Sequence, residues 1–117
     1  MLQFAPGVKV YLALKPVDMR RGFDGLAADV AQVLRNDPYS GAAFVFRSKR
    51  GDYVKILHWD GTGLWLLIKR LEQGTFSWPK SIEEGRVKLK LTPEALTMLT
   101  DGIDLRGARM RPWYERE

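Results

Sequence analysis

The chain has 117 residues, one histidine, no cysteine and a formal net charge of +5. That length suits one domain with one real core, and the absence of cysteine excludes disulfides, thiolate nucleophiles and cysteine-based zinc sites. A hydrophobic share of 45% with 28% charged residues fits a globular protein rather than a disordered one, and the positive balance favours acidic partners, nucleic acid first.

In chain order, Met1–Leu14 is too interrupted by Pro6-Gly7 and Lys9 to serve as a signal peptide. No stretch approaches the roughly 20 apolar residues of a membrane helix, so a cytoplasmic protein with no membrane partner is expected. Val8–Leu14 reads as a strand between Pro6-Gly7 and Lys15-Pro16. Phe23, Leu26, Ala27, Val30, Val33 and Leu34 then recur at three- and four-residue steps. That spacing predicts a long amphipathic helix, entered at Gly22 and stopped before Asp37-Pro38.

Three strands follow at Ala43–Ser48, Tyr53–Asp60 and Leu64–Arg70, joined by Lys49-Arg50-Gly51 and Gly61-Thr62-Gly63. Read as three-residue hairpin loops, these place Arg47 opposite Tyr53, Val45 opposite Lys55, Trp59 opposite Trp65 and Lys55 opposite Lys69. One face then carries Phe44, Phe46, Val54, Ile56, His58, Leu64, Leu66 and Ile68. The other gathers Val45, Arg47, Tyr53, Lys55, Leu57, Trp59, Trp65, Leu67 and Lys69. Two readings of this second face stay open. It is a binding surface on which cations meet phosphates and aromatic rings stack bases, or it is a second core whose lysines reach out at the rim.

Thr75–Trp78 reads as a short strand stopped by Pro79, and Arg86–Leu91 alternates as a half-buried strand. Thr92-Pro93-Glu94 opens a short last helix with a cap, a first-turn proline and an acid at the positive end of the dipole. The expected architecture is α+β: a mostly antiparallel sheet of about five strands packed by one long helix, with a short C-terminal helix. Residues 1–104 form the single domain, and 105–117 a basic, flexible tail.

The candidate nucleic-acid contacts are Arg20, Arg21, Arg47, Lys49, Arg50, Lys55, Lys69 and Arg70, with Tyr53, Trp59 and Trp65 as stacking residues and Arg106, Arg109 and Arg111 from the tail. No catalytic, cofactor or metal residues are expected. Asp18, Asp24 and Asp60 look like cap or turn residues, and His58 like a hydrogen-bonded core residue. Asp60-Gly61-Thr62-Gly63 lacks the following helix that a phosphate loop needs.

The segments Pro16–Ala27, Asp37–Leu64, Lys69–Pro79 and Leu91–Asp104 hold the runs DMRRGFDGL, FRSKRGD and WDGTGL. Together they resemble the small accessory protein of insertion sequence 66 type bacterial elements, the product of the second open reading frame, usually labelled TnpB. A larger RNA-guided nuclease shares that label, and this chain is far too short for it. The resemblance implies a non-catalytic role in DNA transposition, with DNA and the separate transposase as partners, and a homo-oligomer is compatible with it. The alternative is a module that docks the transposase without touching DNA. His58 stands where the family pattern has tyrosine, and Leu105 where tryptophan is frequent.

Overall fold

A computed structural model describes residues 4–80, 83–102 and 114–115. The elements are β1 (Val10–Ala13), α1 (Phe23–Gln32), β2 (Ala43–Arg47), β3 (Tyr53–Trp59), β4 (Leu64–Arg70), β5 (Lys88–Leu91), α2 (Pro93–Thr100) and a two-residue β6 (Tyr114–Glu115). The sheet runs β4-β3-β2-β1-β5, with β6 extending it beside β5. It is mixed: β1 and β2 are parallel, and the other pairs are antiparallel.

Both faces of this sheet are covered. On one, Ala13, Phe44, Phe46 and Leu57 pack with Leu26, Val30 and Leu34 of the α1 region. On the other, Val10, Leu12, Val45, Ile56 and Leu91 pack with Leu96 and Leu99 of α2 and with Phe76 and Trp78. Each fully buried large side chain stabilises the fold by roughly 1.5–3 kcal/mol. The central strands therefore carry apolar residues on both sides, which is why β2 reads as an unbroken AFVF run rather than an alternation.

Three expectations are corrected. The helix expected from Gly22 to before Asp37 is only ten residues long. Its end comes early because Arg35 turns into the left-handed region at φ 55°. The Asn36 N–H then bonds back to Val30 O, and the Lys88 ammonium donates to Leu34 O at 2.8 Å. Cations are well placed at a helix's carbonyl end.

The expected strand at 75–78 is irregular, yet Phe76, Ser77 and Trp78 are buried. Its N–H groups are drawn to other tasks: Phe76 N–H bonds Gly51 O, and the Trp78 indole N–H bonds Ala13 O at 2.9 Å. The segment plugs the core instead of lengthening the sheet.

The hairpin registers differ by one residue at both loops. Val45 lies opposite Ile56 and Phe46 opposite Lys55. Trp59 lies opposite Leu64 and Lys55 opposite Ile68. Both slips turn β3 over relative to its neighbours. Lys55 thereby joins the face of Phe44 and Phe46, and His58 the face of α2.

Gly51 shows why the first loop differs. Ser48 closes it, its backbone N–H bonding Tyr53 O and its Oγ accepting from the N–H groups of Gly51 and Tyr53. Gly51 sits at φ 81°, and a Cβ there would stand 3.3 Å from Thr75 Cβ. Gly51→Ala is expected to cost about 1–2 kcal/mol through backbone strain, read as a lower urea midpoint at unchanged slope.

Candidate nucleic-acid interface

Strand directions bring the two motif loops together. β1 and β2 end where β3 begins and β4 ends, so one end of the sheet receives the turn 15–22, the loop 48–52 and Arg70. Val17 N–H bonds Arg47 O at 2.9 Å, which fastens the first loop beside the second.

The DMRRGFDG run is organised by its own charges. Asp18 accepts from the Arg20 backbone N–H at 2.9 Å and from its guanidinium at 2.6 Å. These bonds, with Lys49 nearby, hold the Asp18 carboxyl well below the usual carboxylate range. Arg21 lies across the first turns of α1, donating to both Asp29 oxygens and to Gly25 O. Gly25 leaves it room, since a Cβ would come within 3.3–3.4 Å of the Arg21 side chain. Beneath, the Lys55 ammonium donates to Met19 O at 2.6 Å and Arg21 O at 2.9 Å. Lys55 is 7% exposed.

The structure divides the sequence-derived candidates into three groups. Arg20, Lys49, Arg50 and Arg70 expose their cations at this end, Arg20 bound to Asp18 and Arg70 to Glu72 and Tyr53. Arg21, Arg47, Lys55 and Lys69 spend theirs on the fold. Arg47 donates to Leu14 O at 3.2 Å and lies over the Trp78 ring, and burial lowers its pKa. Lys69 donates to Thr100 O at the end of α2. Trp59 and Trp65 lie at the opposite end of the sheet from the Lys49-Arg50 tip. There Trp59 meets Tyr39 edge to face, and the Trp65 indole N–H bonds Asp60. Arg106, Arg109 and Arg111 lie outside the described residues.

Sequence reasoning missed Lys15. It is exposed two residues after β1 at the same basic end, and its signal was a Lys-Pro pair at a strand exit. Asp60 is a turn residue, as expected: it accepts from Thr62 N–H and Oγ1, Gly63 N–H and Trp65, which together hold its carboxyl below the ordinary range. Among the described residues no three His, Cys, Asp or Glu side chains converge as a metal-binding group, and no helix is long and apolar enough to cross a membrane. His58 packs against Phe4 edge to face; its Nδ1 is buried without a hydrogen-bond partner, contrary to the bonded core histidine expected.

A family model described as IS66 Orf2 like protein matches residues 8–110. The chain belongs to this family. IS66 Orf2-like membership ties it to insertion-sequence transposition as an accessory protein. Two relatives from Sinorhizobium fredii (strain NBRC 101917 / NGR234) are similar to this IS66 Orf2-like chain over most of its length. Uncharacterized protein y4jC is 41% identical over 106 residues, covering 91% of this chain and 88% of its own. Uncharacterized protein y4hO is 42% identical over 106 residues, covering 91% and 90%. No solved structure matches. Both loops of the basic end fall inside the matched span of the IS66 Orf2-like model.

Proposed function

We propose that the chain assists transposition without doing chemistry itself, by gripping DNA phosphates on the basic end of its sheet. The observation that carries this is the convergence of two separate motif loops, which leaves Arg20, Lys49, Arg50, Arg70 and Lys15 exposed at one end of the sheet. The Lys49-Arg50 tip is closed by the Gly51 N–H, which donates to both Ser48 Oγ and Ser48 O. A preset cationic tip grips a phosphate backbone with little ordering cost, and positions DNA without reading its sequence. The transposase would carry out strand transfer, and DNA held here would be presented to it.

Fluorescence-anisotropy titration of element-end and scrambled DNA across a salt series tests the reading. Binding is expected to weaken steeply with salt as counterions are released. Lys49→Ala and Arg50→Ala should each make the slope of log affinity against log salt shallower by about one, and weaken both DNAs alike. No binding at low salt, or binding indifferent to salt, would defeat the phosphate reading. A flat series would instead select the second one, a module that docks the transposase without touching DNA. Exposed Trp65, on the α2 side of β4, gives that reading its aromatic anchor.

A further inference from the structure

β4 is the outer strand of the sheet. β3 pairs with one side of it, and among the described residues nothing pairs with the other. Two bonds fix which backbone groups face outward: Asp60 N–H to Gly63 O, and Leu71 N–H to Asp52 O. With the register running from Trp59 opposite Leu64 to Tyr53 opposite Arg70, residues 63, 65, 67, 69 and 71 spend their groups on β3. Leu64, Leu66, Ile68 and Arg70 turn theirs to the open edge. Proteins blunt such an edge with proline, a bulge, a very short strand or charges along it, and β4 carries its charges, Lys69 and Arg70, at one end alone. β4 has no proline and is seven residues long. Trp65 and Ile68, on its opposite faces, are 57% and 55% exposed.

We propose that β4 is a self-pairing edge, on which two copies join antiparallel about a twofold axis at Leu67 and fuse their sheets into one. The register follows from the backbone. Centred on Leu67, all four outward residues find partners: Leu64 pairs with the partner's Arg70, and Leu66 with the partner's Ile68. Centred on Leu66 or Ile68, one end of the strand overhangs. Side chains agree with this choice. Ile68 gains the partner's Leu66 on the α1 face. Trp65 gains the aliphatic stem of the partner's Lys69 on the α2 face, while that ammonium stays on its own Thr100 O. Charge agrees as well. Lys69-Arg70 ends the strand, so antiparallel pairing keeps the two basic ends apart, each beside the partner's uncharged Leu64 and Trp65. A parallel arrangement would set cations against cations. The contact is isologous and closes at two copies.

Sedimentation velocity of the full chain tests this. The wild type is expected at twice its 13.4 kDa mass. Ile68→Pro removes an outward N–H and leaves the β3 ladder whole; it should sediment as a monomer with an unchanged far-ultraviolet spectrum. Two variants at an exposed position guard against misfolding as the cause. Trp65→Lys places like charge beside the partner's Lys69 and should weaken the dimer about tenfold, because the axis repeats each pair. Trp65→Glu loses the same ring and the same bond to Asp60, but should keep the dimer. A wild type that stays at 13.4 kDa across concentrations, or a dimer indifferent to Ile68→Pro, overturns the proposal. So does a monomer that pairs only with the transposase, since the edge would then belong to a foreign strand.

Discussion

Lys55→Met is expected to lower stability by about 3 kcal/mol, although it replaces one long unbranched side chain with another. The ammonium makes two short bonds, to Met19 O and Arg21 O. Bonds to charged groups are worth roughly 1.5–3 kcal/mol each, and carbonyls left unmet under a buried strand add to the loss. In a domain of about 100 residues that lowers the melting temperature by about 12–24 °C. Denaturation with urea measures it. A loss under about 1 kcal/mol would mean that water replaces the ammonium and the loop 15–22 is held by other bonds. The substitution should also weaken the basic end indirectly, because the loop carrying Arg20 rests on this lysine.

Trp78→Ala should do still more damage, about 4 kcal/mol or above, close to the whole stability of many small domains. Trp78 is 8% exposed in the α2-side core. Its removal empties a large site, leaves Ala13 O without its indole donor and takes the ring from beneath Arg47. Trp65→Ala, by contrast, should cost under about 1 kcal/mol, because that ring is 57% exposed. Urea titrations followed by circular dichroism compare the two without relying on indole fluorescence. Equal losses would contradict the plugging role given to the 75–78 segment.

The class of fold and most element positions were legible in periodicity and turn chemistry. Thr92 caps α2 through Ala95 N–H, with Pro93 in the first turn, as its sequence implied. The hairpin registers were not legible, and Lys55 is the reason. Sorting side chains by polarity assigns a lysine to the wet face, whereas this one sits at a core position and is satisfied by carbonyls from a distant loop. No local pattern records those partners, which lie 34 and 36 residues away. The same holds for the candidate site. Its cations were visible one by one, but their meeting at one sheet end depends on β1 and β2 running parallel. The division between exposed and structural cations depends on acceptors such as Leu14 O and Thr100 O, far off in sequence. Trp59 and Trp65 looked like part of the same surface because the assumed register faced them together beside Lys55.

The strand order has a consequence for how the protein is made. β1 leaves the ribosome first, yet its place is between β2 and β5. Until β5 and α2 have been translated, a nascent chain can build only the α1-covered side of the sheet. Val10, Leu12, Val45 and Ile56 then lack the cover of Leu96 and Leu99. Folding of this sheet must therefore wait until α2 has been made, and the waiting chain presents an apolar sheet to chaperones and proteases. A premature stop anywhere before Thr92 would yield a substrate for clearance rather than a smaller working protein.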